Sequence, residues 1–154
     1  MEQPATTARF ETGHVGLNVS NLERSRNFYR EAFGLDVMAE SLEAGREFSF
    51  LSLDGRLVLT LWQQGSGAFD GAIPGLHHLS FQVPAIDDVR EAEARLRKMN
   101  VRLIYDRIVP HGEGTQSGGI YFEDPDGIRL EIFAPTGAAS CTAPTAGAPS
   151  CGFF

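Results

Sequence analysis

Two histidines and one glutamate occupy matching places in similar stretches of this 154-residue chain. His14 opens one apolar stretch, His78 opens a similar one 64 residues later, and Glu131 lies within the last of these stretches. Two histidines and one carboxylate suit Fe(II), because they leave other coordination positions open. The sequence therefore predicts a divalent metal site formed by His14, His78 and Glu131. We expect Fe(II) there, with Mn, Ni, Co or Zn as the alternatives.

A polar stripe accompanies each histidine. Alternate side chains of a strand share a face, so Asn18 is expected on the face of His14 and Gln82 on the face of His78. A polar face inside a sheet is costly unless it lines a cavity or binds a ligand. We therefore expect Asn18 and Gln82 to contact a substrate. The same alternation predicts that His77 points to the opposite face, which leaves His78 as the ligand.

The elements that carry these residues follow a repeated order. The first copy covers residues 10–64, and its helix is predicted to begin at a capping box at Ser20 and to end at Gly34. Alternating apolar residues indicate its strands. They are predicted at 14–19, 46–53 and 56–62.

The second copy covers residues 76–137 and follows a glycine-rich linker at 65–75. Asp87 is expected to cap its helix. Its strands are predicted near 78–83, 102–106, 119–123 and 128–133. The chain therefore reads βαβββ twice. This order predicts an α+β fold in which the repeats form a curved, cup-like mixed sheet with the helices on the outer face.

The ends of the chain are expected to lie outside this domain of residues 10–137. Residues 1–9 are predicted to be an N-terminal extension. Residues 138–154 are rich in Ala, Pro, Ser, Thr and Gly and are expected to form a flexible tail. Cys141 and Cys151 both lie in this tail, so the fold itself needs no disulfide. A disulfide between them and soft-metal binding by the two thiols are both open.

Composition narrows the classes of partner. The formal net charge is −7 and the basic residues are scattered, which argues against nucleic acid. No apolar run approaches the roughly 18 residues that span a bilayer, and the first residues lack the apolar segment of a secretory signal. We therefore expect a cytoplasmic protein that binds a small-molecule substrate and contacts neither nucleic acid nor a membrane.

Several motifs taken together resemble one protein family. In chain order they are His14, Phe28-Tyr29, Gly34-Leu35, His78 and Asp124-Pro125-Asp126-Gly127-x-x-x-Glu131. From about residue 10 to residue 135, the chain resembles the vicinal oxygen chelate superfamily, also called the glyoxalase/bleomycin-resistance/dioxygenase fold. This superfamily carries many chemistries on one scaffold, so the resemblance predicts the fold more sharply than the reaction.

The second half resembles the extradiol ring-cleavage signature in particular, because His111 is followed by Ile120-Tyr121, a charged turn and Glu131. In that family, the equivalents of His111 and Tyr121 line the substrate pocket and hydrogen-bond the substrate or bound oxygen. The resemblance therefore implies catalytic roles for His111 and Tyr121. It implies a dioxygenase that uses O2 and a small substrate with vicinal oxygens. One usual pocket histidine is missing, since residues 61–64 contain none.

Two other functions are open on this fold. The first is a thiol transferase or lyase of the fosfomycin-resistance or glyoxalase type. Members of the glyoxalase I type have a fourth ligand where this chain has Leu59 or Thr60, which disfavours that subtype. The second is a metal-free, drug-binding protein of the bleomycin-resistance type. In any of these proteins, Phe48, Phe50 and Trp62 could form aromatic walls of a substrate pocket.

Many members of this superfamily pair their repeats across two subunits, so the resemblance implies a homodimer. If the repeats pair in this way, His14 joins His78 and Glu131 of the partner subunit.

Overall fold

The computed structural model describes residues 8–154, and most of the predicted 1–9 extension lies outside the described residues. The first repeat consists of β1 (Val15–Asn18), α1 (Leu22–Phe33), β2 (Asp36–Ser41), β3 (Phe48–Leu53) and β4 (Arg56–Trp62). The second consists of β5 (Leu79–Gln82), α2 (Ile86–Lys98), β6 (Val109–Pro110), β7 (Gly118–Glu123) and β8 (Arg129–Ala134). The predicted order of two βαβββ repeats in an α+β fold is confirmed, and β2 is the strand of the first repeat whose position was not predicted.

Each repeat forms its own four-stranded mixed sheet. The strand order is β1-β4-β3-β2 in the first sheet and β5-β8-β7-β6 in the second, so neither sheet continues into the other. The strands that follow the two predicted histidine ligands, β1 and β5, pair in parallel with β4 and β8 and lie at corresponding sheet edges. His14 and His78 each stand one residue before these strands.

Helix α1 begins one residue later than the predicted capping box implies. Its N-cap is Asn21, whose side chain accepts a 2.9 Å hydrogen bond from the backbone N–H of Arg24. Ser20 instead hydrogen-bonds the carboxylate of Asp126 in the second repeat, a distant partner that local spacing does not reveal. The predicted end is confirmed, because Gly34 caps the helix at φ 67°, a left-handed conformation that glycine adopts without strain.

Two local predictions in the second repeat are wrong. Helix α2 has Ala85 as its N-cap, and the carboxylate of Asp88, rather than Asp87, accepts from the Ala85 N–H at 2.9 Å. Residues 102–106 form bends with a single bridge from Leu103 to Phe122 instead of a strand. The strand at this place is the short β6. It ends at Pro110, which has no N–H with which to extend a ladder.

The two repeats share one hydrophobic core. Phe33 of α1 lies 4.3 Å, ring centre to ring centre, from Phe81 of β5, and Phe28 lies 6.4 Å from Phe122 of β7. Helix α1 of the first repeat therefore packs against the second sheet as well as its own. Among the described residues, no helix is both long and apolar enough to cross a membrane.

Residues 138–154, which we expected to be flexible, lie against the second sheet. Ala138 and Ser150 are buried, and the Ser150 N–H donates a 2.8 Å hydrogen bond to the carbonyl of His111. The Tyr105 hydroxyl donates to the Ser150 carbonyl, also at 2.8 Å. Composition alone does not reveal these contacts, because their partners are 39 or more residues away. Cys141 and Cys151 are free thiols, so the disulfide alternative is not formed.

Candidate metal centre

Glu131 lies in the middle of β8 with only 3% of its surface exposed. Strand β8 runs between β5 and β7, and the register places Ser80 on one side of Glu131 and Tyr121 on the other. Directly opposed side chains of neighbouring strands point to the same face. The sheet thus surrounds a buried carboxylate with polar neighbours, as a buried charge requires.

One carboxylate oxygen of Glu131 is fully engaged. Its Oε1 accepts hydrogen bonds from the Tyr121 hydroxyl at 2.8 Å and from Nε2 of His111 at 2.5 Å. Burial by itself would raise the pKa of Glu131, but hydrogen bonds from His111, Ser80 and Tyr121 lower the pKa below its usual value. Glu131 is therefore ionised at neutral pH and able to bind a cation.

The second oxygen faces His78. Nε2 of His78 lies 3.7 Å from Oε2 of Glu131, too far for a hydrogen bond. Two ligands that each lie about 2.1 Å from one metal ion stand roughly 3 to 4 Å apart. Burial lowers the pKa of His78, which favours the neutral imidazole that ligates metals. The pair therefore fits two adjacent ligands of a divalent metal ion.

The ring of His77 lies beside His78 instead of on the opposite face. Their Nδ1 atoms are 2.8 Å apart. The prediction from strand alternation is wrong, because β5 begins only at Leu79 and the alternation of a strand does not extend to residues 77 and 78. The contact engages Nδ1 of His78 and leaves Nε2 directed toward Glu131, so Nε2 is the nitrogen that could bind a metal ion.

His14 does not join this pair within one chain. Its side chain is exposed at the start of the first sheet, and residues 8–154 contain no group of three His, Cys, Asp or Glu side chains placed to hold a metal ion. His14 does line an open cavity of about 640 Å³, together with Ser80 and Gln82 of β5. A single chain thus brings together two of the three predicted ligands.

The predicted aromatic walls belong to the first sheet. Phe48, Phe50 and Trp62 form a cluster with ring centres 4.9 to 5.7 Å apart, whereas Glu131 belongs to the second sheet. Asn18 is also on this sheet, and its side-chain oxygen accepts from the backbone N–H of Gln64 at 3.0 Å. That bond joins the end of β1 to the residues that follow β4. Asn18 thus contacts the protein backbone, whereas a contact with substrate was expected.

His111 and Tyr121 both reach Glu131, and their predicted contacts with a substrate stay a prediction. Nδ1 of His111 is 2.7 Å from the Ser117 hydroxyl, so both ring nitrogens have partners. Burial, followed by the nearby Glu131, raises the pKa of Tyr121, which keeps its hydroxyl protonated as a donor. Strand alternation also places Ser80 on the face of His78, next to Glu131. Sequence reasoning did not identify Tyr105 as a neighbour of this site, and no local pattern indicates it.

The family model described as Glyoxalase/Bleomycin resistance protein/Dioxygenase superfamily matches residues 12–132. The chain belongs to this superfamily. The match covers both repeats, from the residues before β1 into β8, and therefore includes all three predicted ligands.

Superfamily relatives differ in their described activities. Catechol-2,3-dioxygenase of Bacillus subtilis (strain 168) is 28% identical over 134 residues, which are 83% of this chain and 44% of that enzyme. The chain thus spans less than half of this relative's length. Protein YaeR of Escherichia coli (strain K12) is 30% identical over 78% of this chain and 92% of its own length. A trivalent organoarsenical cleaving enzyme of Bacillus sp. (strain MD1) is 29% identical over 78% of this chain and 70% of its own.

Solved structures agree on the fold. A glyoxalase/bleomycin resistance protein/dioxygenase domain from Frankia sp. EAN1pec has a TM-score of 0.69 at 28% identity, covering 82% of this chain and 98% of that one. The fosfomycin resistance protein FosX from Listeria monocytogenes, determined with Mn(II), has a TM-score of 0.65 at 20% identity. It covers 84% of this chain and 95% of its own. At this identity, the likeness to FosX concerns the fold alone.

Proposed function

We propose that this protein is a metal-dependent enzyme, an Fe(II) extradiol-type dioxygenase of a small substrate that chelates the metal through vicinal oxygens. The observation that carries the proposal is the convergence of His111 and Tyr121 on one oxygen of Glu131, while the other oxygen faces His78. A two-oxygen ligand and O2 both need open coordination positions, which a set of three protein ligands provides. The similarity to a catechol dioxygenase supports the same reaction class.

His78 and Glu131 of one chain, together with His14 of a second copy, would hold the metal. His14 needs another chain in this proposal because it stands apart from the other two ligands within its own chain. The first sheet also presents a partly exposed aromatic cluster, in which Trp62 is 37% exposed, and such a face favours a protein partner. We therefore propose a homodimer in which the first sheet of each chain completes the site on the second sheet of the other.

The residues around Glu131 would have separate roles in the proposed reaction. A bound divalent metal ion supplies Lewis acidity, which lowers the pKa of a chelating hydroxyl group. Tyr121 holds the Glu131 carboxylate in place through its hydroxyl. His111 contacts Glu131 through Nε2 and is a quarter exposed. A substrate hydroxyl that replaces the Ser117 hydroxyl at Nδ1 could give its proton to His111, which returns that proton to the product. Gln82, at the end of β5, contributes to the cavity that His14 also lines.

The test begins with metal content. Protein purified without oxygen should contain about one iron per chain, and Glu131→Ala and His78→Ala should both lose it. Glu91→Ala, which changes an exposed carboxylate on α2, is the matched control and should keep the metal. The iron-loaded protein should then consume O2 with one or more members of a panel of catechols.

Three results would contradict the proposal. Stoichiometric Mn or Zn without O2 consumption, even after iron loading, would favour transferase or lyase chemistry. Retention of iron in Glu131→Ala would exclude this carboxylate as a ligand. Failure to bind any divalent metal after reconstitution would leave a ligand-binding protein of the drug-resistance type.

A further inference from the structure

The ring of Phe154 sits in a box of aromatic side chains beside Glu131. The aromatic box consists of Tyr105, Tyr121, His77 and His78, whose ring centres lie 6.1, 5.5, 5.8 and 6.4 Å from that of Phe154. Two of its members have other roles at the site, since Tyr121 donates to Glu131 and His78 faces it. Phe154 therefore fills space next to the proposed metal ligands with an aromatic ring.

The segment that carries Phe154 is anchored four residues earlier. The backbone N–H of Ser150 donates to the carbonyl of His111, and the Ser150 hydroxyl donates to the carbonyl of Pro110. Beyond this anchor, the described hydrogen bonds include only one from residues 151–154, from the Gly152 N–H to Pro149 within the same turn. Phe154 is thus held in the box mainly by ring contacts, which a competing ring could replace.

The guanidinium group of Arg129 lies at the edge of the same aromatic box. Arg129 lies on the face of Glu131, two positions away along β8, and its guanidinium carbon is 5.4 Å from the centre of the Phe154 ring. Within the part of the chain that the structure describes, neither Arg129 nor Arg102 has a carboxylate within ion-pair distance. Both arginines line a cavity of about 200 Å³ beside Phe154, which contains Glu123 as its one acidic residue.

We infer that the aromatic box receives an aromatic ring of the substrate in place of Phe154, and that Arg129, with Arg102 nearby, binds an anionic group on that ring. This inference rests on the proposed function and narrows its substrate to aromatic acids. Aromatic rings stack favourably on tyrosine and histidine rings, and a guanidinium binds a carboxylate through charge-assisted hydrogen bonds. Phe154 acts as an internal competitor. While its ring occupies the box, the substrate cannot enter, and the apparent affinity for the substrate decreases as the fraction of protein with an empty box decreases.

The test uses probes that lack vicinal hydroxyl groups and cannot undergo the proposed reaction, so binding is measured whether or not that reaction occurs. The probes are 4-fluorobenzoate, which has a ring and a charge; 4-fluorobenzamide, which has the ring alone; and fluoroacetate, which has the charge alone. Their binding to the full chain is measured by ¹⁹F NMR titration. We expect 4-fluorobenzoate to bind about tenfold or more tightly than either of the others, since a charged hydrogen bond is added to the ring contacts.

Variants separate the two parts of the site. Phe154→Ala and Phe154→Ser should raise the affinity for both ring probes several-fold, and Phe153→Ala, at a residue that is 72% exposed, should not. Arg129→Gln should abolish the preference for 4-fluorobenzoate over 4-fluorobenzamide, and Arg129→Lys should retain part of it. Circular dichroism melts establish that each variant is folded.

Unchanged ring affinity in both folded Phe154 variants would overturn the role of the aromatic box. Equal binding of 4-fluorobenzoate and 4-fluorobenzamide by the unsubstituted protein would overturn the anion site. If the probes bind as expected but no O2 is consumed with dihydroxybenzoates, the proposed reaction fails and the binding site stands.

Discussion

Tyr29, on the helix of the first repeat, donates a 2.8 Å hydrogen bond to Asp124 in the turn between β7 and β8 of the second. The other oxygen of Asp124 accepts from the backbone N–H groups of Asp126 and Ile128, at 2.8 and 2.9 Å. The turn that leads into the strand of Glu131 is therefore tied to the opposite repeat through one buried side-chain pair. The Phe-Tyr and Asp-Pro-Asp-Gly motifs meet at this contact.

Replacement of Tyr29 by phenylalanine should destabilise the fold. Asp124 would keep its two backbone bonds and lose the hydroxyl donor on its other oxygen, and an unsatisfied buried acceptor costs about 1 to 3 kcal/mol. Urea denaturation at neutral pH should show this decrease in the free energy of unfolding. An unchanged free energy would mean that water replaces the hydroxyl and that the pair does not tie the repeats together.

The same residue should govern stability at alkaline pH. Burial, and then the charge of Asp124, raise the pKa of Tyr29 well above its usual value. Because the folded-state pKa is the higher one, the contribution of Tyr29 is complete below about pH 10, the pKa of an unfolded tyrosine, and is lost as pH rises above that value. Unfolding measured between pH 8 and pH 11 should therefore show a steeper loss in the unsubstituted protein than in Tyr29→Phe. Parallel curves would contradict this assignment.

Mixing two inactive variants should restore activity. In a dimer of His14→Ala with Glu131→Ala, one site combines the intact His14 of one chain with the intact Glu131 of the other. Random exchange makes half of the dimers mixed, each with one intact site, so activity should reach about a quarter of the unsubstituted value. Each variant measured alone provides the background. No recovery after demonstrated subunit exchange would place all three ligands in one chain.

His111→Ala should separate catalysis from metal binding. His111 engages the Glu131 oxygen that points away from His78, so its loss should leave the metal content unchanged. Removal of a general acid–base group should lower kcat by about 10²- to 10⁴-fold. Ser117→Ala, which removes only the partner of Nδ1, should have a much smaller effect. A His111→Ala protein that loses its metal would show that His111 is a ligand.

Gly119→Ala should disrupt the sheet that carries Glu131. A Cβ atom at this position would lie 2.0 Å from the carbonyl oxygen of Ile132 and 2.6 Å from Cα of Phe133, both backbone atoms of β8. Overpacking against atoms that cannot rotate away should cost about 3 kcal/mol or more. Gly13→Ala is the control, because nothing lies within 4 Å of its added Cβ. Equal melting temperatures of the two variants would contradict the close approach of β7 to β8.

Features with local causes could be predicted from the sequence. Helix α1 ends at Gly34 because a left-handed cap needs glycine, and β3 and β4 join at Asp54-Gly55 because both residues adopt positive φ there. The repeated order of elements followed from the same local patterns. The grouping of His111, Tyr121 and Glu131 was implied by the resemblance to the extradiol signature, and the structure pairs Tyr121 of β7 directly with Glu131 of β8.

Features that depend on distant partners could not be predicted. Ser20 looked like a helix cap and instead bonds Asp126, more than 100 residues away. Residues 138–154 looked like a flexible tail, yet Phe154 enters a box built from three separate parts of the chain.

The sequence by itself determined the order of the two repeats and the end of helix α1 at Gly34, because each depends on spacing within a few residues or on one repeated pattern. Only the tertiary structure decided which candidates meet. The second sheet, with the residues that directly adjoin its strands, contains Glu131, His78, His111 and Tyr121. The first sheet, taken in the same way, contains His14, Phe48, Phe50 and Trp62. The physical reason is that periodicity specifies the face of a strand, while packing between the repeats specifies what that face meets.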